Sequence, residues 1–383
     1  MDLALTEEQT AIRDTARRLA EERLAPSAAA LDRGDGHETF LANLKELAGL
    51  GFMGLNISTD HGGTGADTVS FGLAITELAR ACAATAVTVS VTNMVAEVIQ
   101  AIGSEEQRSR YLPLLCNGDY PAGGFCLSEP AAGSDPSAMT TRAERDGEDW
   151  VLRGSKAWIT SAPYAGLFVV WAVTDATRPR GKGISCFLVE ADSLGLSIGK
   201  AEEKMGQVGS ATCSVHFDDC RVPASALLGK ENDGYRVAVA ELAGGRIGIG
   251  SLALGVAEAA MDYACSYIQE REQFGRPLSD FQGLQWQVAE TKTELEAARL
   301  LLLQAAWQKD RKEPFAPQAS MAKLFATEKA NAACYRALQL VGGIGYTRDC
   351  PLERYARDVR VTSIYEGTSE IQRQIIARSV LQP

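Results

Sequence analysis

Apolar residues recur three and four positions apart along the first part of the chain, the period of one face of a helix. The run opens on Thr6-Glu7-Glu8-Gln9, a capping-box pattern, and Ile12, Ala16, Leu19 and Ala20 hold the period up to Pro26, where the helix is expected to stop. More Ala/Leu-rich helical pattern covers 40–50, 68–84, 87–102 and 105–115, interrupted by the Gly-rich turn "TDHGGTGAD". Near residue 120 the texture changes. "DWVLRGSKAWIT" reads as two short apolar runs about a Gly-containing turn, which predicts a hairpin. "LFVVWAVT", "GISCFLVE" and "CSVHFDDCRVP" are short, β-branched and aromatic, so a small barrel or sandwich is expected here. From about 231 the helical period returns in three long segments, followed by a short helix near Ser369. The expected class is α+β: a helical domain over 1–120, a β-barrel or sandwich domain over 121–230 and a four-helix bundle over 231–383.

Composition refines this only at a few points. At 383 residues the chain exceeds what one core usually supports, in agreement with several domains. A net charge of -11 argues against a nucleic-acid partner. Nine cysteines without a CxxC pair suit free thiols in a reducing compartment. The histidines, His37, His61 and His216, are not spaced as metal ligands, so neither a zinc site nor a histidine triad is expected. The first residues, "MDLALTEEQTAIRD", lack a basic region and an apolar run, so no targeting segment is expected. No stretch reaches the ~18 uninterrupted apolar residues of a membrane span, and a soluble, cytoplasmic protein is expected.

Several motifs carry candidate chemistry, each with a plain structural alternative. Gly49-Leu50-Gly51-Phe52-Met53-Gly54 fits GxGxxG, but a helical pattern precedes it, so it reads as a helix end and turn. "FCLSEPAAGSD" over 125–135 lets backbone amides approach a ligand, or is a solvated turn. "KAWITSA" over 156–162 puts Trp158 and Thr160 on one strand face, an aromatic plate beside a hydroxyl that would suit a flat heteroaromatic ring or a β core. "REQFGRP" over 271–277 ends a long helix with two arginines suited to phosphate oxygens. "QLVGGIGY" over 339–346 holds more glycines than one helix cap needs. In "SIYEGTSEIQ", Ser369-Glu370-Ile371-Gln372 reads as a capping box, placing Glu366 in the loop before a helix. Glu366 is then either a charge compensating the helix dipole or a pocket residue framed by Tyr365 and Gly367.

"CLSEPAAGSD", "KAWITSA", "EREQFGRPLSDFQ", "QLVGGIGYTRD" and "IYEGTSEIQ", in this order, resemble five recurring motifs of the acyl-CoA dehydrogenase family. The resemblance implies FAD, an acyl-CoA substrate, an electron-transfer flavoprotein as acceptor and a homotetramer whose neighbouring subunits complete the flavin sites. It implies that the backbone of 125–134, including Phe125, Leu127, Ser128, Gly133 and Ser134, and the segment Trp158, Ile159 and Thr160 hold the isoalloxazine ring. Arg271, Phe274 and Gln282, with Gln339, Gly342 and Gly343, would bind the pyrophosphate and adenosine of an adjacent subunit's FAD. Thr368 and Glu370 would close over the FAD, while Ser134, Arg246, Gly367 and Arg378 match acyl-CoA positions. Glu366 matches the base that removes the α-proton as a hydride leaves the β-carbon for flavin N5. The resemblance further implies that the enolate is held by a ribityl hydroxyl and by the base's own N–H. Desolvation should raise Glu366 toward neutrality, opposed by the helix N-terminus.

Some members of the family carry the base just before the arginine, where this chain has Gly245. Two departures concern the acyl carrier: Ala243 replaces a common aspartate and Ser161 a common asparagine. Ala243 hints at a dehydrogenase of acyl-carrier-protein thioesters; a desulfinase-type lyase is disfavoured by the retained Glu366, and a non-catalytic flavin protein by the survival of the base and flavin motifs. A di-iron bundle does not, since no histidine follows His216.

Overall fold

The computed structural model describes residues 4–382. Met1–Leu3, which carry part of the expectation about targeting, and Pro383 lie outside the described residues. The N-terminal part is helical: α1 Glu7–Leu19, α2 Ala25–Asp32, α3 His37–Gly49, α4 Thr68–Ala81, α5 Ala83–Ile102 and α6 Glu105–Cys116. The Thr6–Gln9 capping box forms as read. Pro26 does not stop the helix: a π-turn at Ala20–Leu24 widens the backbone ahead of it, and α2 continues with the proline in its first turn. The widened turn makes room for the proline ring, which in a regular helix would meet the carbonyl four residues back. The GxGxxG run is the end of α3 followed by a turn with Gly51 at φ +83°.

The middle part is a sheet of β1 Ala122–Cys126, β2 Arg142–Asp146, β3 Asp149–Thr160, β4 Ala165–Val173, β5 Ile184–Glu190, β6 Leu196–Ile198, β7 Thr212–Val222 and β8 Leu227–Leu228. Strands run in the order β6-β7-β3-β2-β4-β5-β8, with β1 paired on β4. A single register pair, Arg142 with Val173, joins the two halves. They enclose one core from both sides, with Trp150, Leu152 and Val215 against Phe168, Val170 and Phe187. The hairpin expected inside "DWVLRGSKAWIT" is not there. Those twelve residues are the single strand β3, and Gly154, at φ +139°, absorbs a register shift against β7. A bulge needs the same glycine that a turn would, so local pattern could not separate the two.

β4 is apolar on both faces for a reason visible in its neighbours. Phe168, Val170 and Ala172 face the sheet core, while Leu167, Val169 and Trp171 meet Val95, Val98 and Ile99 of α5. The C-terminal part contains α7 Gly234–Glu270, a short hairpin of β9 Glu272–Gln273 and β10 Arg276–Pro277, α8 Gln282–Asp310, α9 Ala316–Val341, α10 Pro351–Arg360 and α11 Ser369–Leu381. α7, α8, α9 and α11 make the expected bundle. α10 is additional; it has few apolar residues, yet Leu352 and Val359, one face apart by seven, are buried against α9 and α7. Among the described residues, two helices, Ala83–Ile102 and Gly234–Glu270, are long and apolar enough to cross a membrane, and their apolar windows are 78% and 67% buried in the protein core.

Candidate active site

A cavity of about 1050 Å³ opens where the three parts meet. Its walls are mostly apolar, with Val87 and Val91 of α5, Leu242 and Ile249 of α7, and Ile375 of α11. Five basic side chains (Lys204, Arg246, Arg357, Arg360, Arg378) but only two acidic ones (Asp135, Glu366) line it. That reverses the sign of a chain whose net charge is -11, so the cavity favours an anionic ligand.

One wall comes from the sheet. A bulge between Lys156 and Ile159 puts Trp158 at φ +63°, which turns its indole outward with 61% of the residue exposed. Trp158 and Thr160 both face the cavity, as strand alternation predicts, whereas Ile159 points mainly into the core. Beside them runs the 125–134 segment. It is anchored by a buried ion pair, Lys156 Nζ to Glu129 Oε1 at 2.9 Å, with Lys156 also donating to the Leu127 carbonyl at 3.2 Å. Glu129 accepts from the Thr140 N–H, the Thr140 hydroxyl and the Thr141 N–H as well. Burial pushes the Glu129 carboxyl up, but Lys156 and these hydrogen bonds outweigh it and hold the pKa near about 2.

The other wall is the loop between α10 and α11. The helix start differs from the expectation by one residue: the cap is Thr368, whose hydroxyl accepts from the Ile371 N–H, and Ser369 is the first helical residue. Gln372, read as part of a capping box, instead donates its amide to the carbonyls of Glu366 at 3.2 Å and Gly367 at 2.9 Å. Lys323 of α9 reaches the Gly367 carbonyl at 2.8 Å. This pinning holds Glu366 at φ +54°, a left-handed conformation that costs a non-glycine residue of order 1 kcal/mol and is characteristic of functional sites. Glu366 Oε2 is buried and has no hydrogen-bond partner. Burial raises its pKa to about 7 although Lys323 and Arg246 pull it down. Burial also lowers Lys323, to about 8, and lowers Arg246.

The structure therefore brings Phe125, Leu127, Ser128, Gly133, Ser134, Trp158, Ile159, Thr160, Arg246, Glu366, Gly367, Thr368 and Arg378 to one cavity. Arg271, Phe274, Gln282, Gln339, Gly342 and Gly343 are not on its wall; all are exposed at ends of the bundle helices, Phe274 by 91%. Glu370 is exposed on the first turn of α11, also away from the wall. Three contributors were not singled out from sequence: Lys323, Gln207, which donates to the Tyr365 hydroxyl, and the Lys156–Glu129 pair. A lone lysine in the apolar run "SMAKLFA" was the available signal for the first.

Comparison with known proteins agrees with this geometry. Models of the acyl-CoA dehydrogenase N-terminal, middle and C-terminal domains match residues 6–119, 124–220 and 232–381. The chain belongs to the acyl-CoA dehydrogenase family. It is 44% identical over 379 residues to the mouse mitochondrial short-chain specific acyl-CoA dehydrogenase, covering 99% of this chain and 91% of that one. Butyryl-CoA dehydrogenase of Megasphaera elsdenii superposes with a TM-score of 0.96 at 37% identity, over the whole of both chains. A chain in the structure reported for the electron transferring flavoprotein of Acidaminococcus fermentans superposes with a TM-score of 0.97 at 41% identity, again over both whole chains. The acyl-CoA dehydrogenase is thus an FAD-dependent enzyme. Its cavity fits that cofactor. The exposed Trp158 ring supplies a flat apolar wall, and no atom lies within 4 Å of where a Gly133 side chain would begin, so the 125–134 backbone is open to a ligand.

Gly245 also acquires a role by what it leaves out. A Cβ there would stand 2.9 Å from Glu366 Oε2 and 2.8 Å from Met94 Sδ. Gly245→Ala should therefore displace the carboxylate and slow flavin reduction by roughly tenfold or more while flavin content is kept, as stopped-flow absorbance would show.

Proposed function

We propose that this acyl-CoA dehydrogenase oxidises short-chain acyl-CoA thioesters to trans-2-enoyl-CoA, with Glu366 as the base that takes the α-proton. The supporting observation is the Glu366 carboxylate itself: on the cavity wall, one oxygen unpartnered, with a pKa raised to about 7. Such a group is basic enough to remove a weakly acidic proton and is ionised enough to do so near neutral pH. When bound, the flavin supplies the acceptor for the β-hydride. The chain's own part is to orient and to hold charge. The Glu366 N–H is available to a thioester carbonyl, since its neighbours Ile364 and Tyr365 donate to Val361 and it has no such partner among the described backbone bonds. Arg246 and Arg378 offer positive charge, and Ser134 and Gly367 close contacts, to the CoA arm.

Phe125–Ser134 and Trp158–Thr160 would hold the isoalloxazine ring, with Thr368 at the loop edge and Glu370 beyond it. The exposed positions of Arg271, Phe274, Gln282, Gln339, Gly342 and Gly343 favour their use by a neighbouring subunit's FAD, hence a homotetramer. Electrons would leave through an electron-transfer flavoprotein. Nine free cysteines fit a cytoplasmic setting. Ala243 is buried and off the cavity wall, so its departure does not single out a carrier-protein substrate.

Anaerobic titration with saturated acyl-CoAs of increasing length tests the reading. Short chains should bleach the flavin fastest, and the bleaching rate should rise with pH through a limb near 7 as Glu366 loses its proton. A flavin that no saturated acyl-CoA bleaches would overturn it.

A further inference from the structure

Behind the base lies a buried charged group that the mechanism above does not use. Glu97 of α5 pairs with Lys309 of α8, and Glu241 of α7 lies beside Glu97. Lys309 Nζ sits 2.7 Å from Glu97 Oε2, with the two side chains 25% and 15% exposed. Gly244 faces them; a Cβ there would stand 3.0 Å from Lys309 Nζ and 3.6 Å from Glu97 Oε2. Glu241 turns toward Glu97, and its Oε1 is buried without a partner. It is off the cavity wall, which α7 lines with Tyr235, Val239, Leu242, Arg246 and Ile249. Glu241 stands one helical turn before Gly245, where a Cβ would stand 2.9 Å from Glu366 Oε2.

Lys309 pairs directly with Glu97 alone, so full ionisation would leave Glu241 a negative charge with no ion-pair partner. Burial first, then the charges of Glu97 and Glu366, favour the neutral form of Glu241, while Lys309 favours the anion. Burial works against the Lys309 charge, but Glu97 and Glu241 outweigh it. Asp310, the next acidic side chain, accepts from the N–H groups of Thr68 and Val69 at the start of α4. Around Glu366 itself stand Lys323 of α9, Arg246 of α7 and the Tyr365 hydroxyl in its own loop, with Glu328 beyond Lys323.

We propose that Glu97, Glu241 and Lys309 form a charge-neutral buried triad in which Glu241 keeps its proton, so that Glu366 works with no second anion behind it. The three are positioning residues: they act on substrate only through Glu366. The physical need is plain. A further buried negative charge at this range would shift the base upward by on the order of one pH unit and leave it mostly protonated at neutral pH.

The inference rests on Glu366 as the base, and the experiment separates the two. The flavin-loaded enzyme is mixed anaerobically with a short saturated acyl-CoA, and the bleaching rate is followed against pH. Lys309→Met leaves two carboxyls sharing a proton, net charge minus one, and should move the acid limb up by about one pH unit. Glu97→Gln with Lys309→Met restores neutrality and should return the limb to its parental position, which a merely structural role would not do. A limb that stays put in Lys309→Met, or that moves equally in the double variant, overturns the triad. Should Lys309→Met fail to fold, infrared spectra of the parent and Glu241→Gln at neutral pH decide: the variant should lose a protonated-carboxyl C=O band. Loss of a carboxylate band instead overturns the proposal. Bleaching that survives Glu366→Gln overturns the base assignment and this inference together; a dead Glu366→Gln beside an unmoved Lys309→Met limb overturns the triad alone.

Discussion

Glu366→Gln should keep the flavin and slow its bleaching by saturated acyl-CoA by about 10³-fold or more. The two halves of this expectation have separate causes. The loop is held through its backbone, by Gln372 on the Glu366 and Gly367 carbonyls and by Lys323 on the Gly367 carbonyl, and an amide of the same shape leaves those bonds alone. The carboxylate, in contrast, is among the described residues the one group on the cavity wall that is both acidic enough to be ionised near neutrality and free of a hydrogen-bond partner on one oxygen. Losing the charge has a side effect. Lys323 and Arg246 are both buried, and the Glu366 charge opposes the lowering of each. In the variant both should be lowered further, Lys323 from its present value of about 8. Because Glu366 is held above its unfolded pKa in spite of both cations, its ionised form is a net cost to the fold, and the neutral amide should leave the melting temperature unchanged or slightly raised, with flavin content unchanged. A variant that bleaches at the parental rate would remove Glu366 from the chemistry.

Much of this site could be read from the chain because its parts are local. The "YEG" loop, the Trp158–Thr160 segment and the 125–134 turn each carry their own signal, and each reaches the cavity. What could not be read depends on contacts between distant residues. Gln372 looked like half of a capping box, since S-x-x-Q spacing is all that sequence offers. In the fold, Thr368 takes the cap and the Gln372 amide is released to hold the carbonyls on either side of the strained peptide. The same limit hid the Gly154 bulge, whose nature is set by β7, about sixty residues on. Pro26 reads as a stop because a π-turn upstream is invisible to a fixed 3.6-residue period. Lys156 is the clearest case. It is a charge in the middle of a strand, and nothing local says that its partner is Glu129.

That pair sets the second large expectation. Lys156 is fully buried, and its ammonium lies among Glu129, the Leu127 carbonyl and the Met139 sulfur. Lys156→Met fills the space but leaves Glu129 as a buried carboxylate without a counter-charge, at a cost of about 3–5 kcal/mol. The 125–134 segment loses its anchor on β3 at the same time, so flavin should dissociate on gel filtration and the melting temperature should fall by several degrees. Lys156→Met with Glu129→Gln should recover most of both. The single amide oxygen can still accept from the Thr140 N–H and hydroxyl while the Thr141 N–H loses its acceptor, and removing both charges together costs far less than removing one. Acid should reveal the same linkage. Glu129 has a folded-state pKa of about 2, below the 4.5 of the unfolded chain. The stability it contributes is therefore complete above about pH 4.5 and is lost as pH falls toward 2. In Lys156→Met the carboxyl should protonate more readily, so the gap in stability between parent and variant should be widest above pH 4.5 and narrow below it. A gap that stays constant across that range would mean that Lys156 acts by packing alone and not through the charge on Glu129.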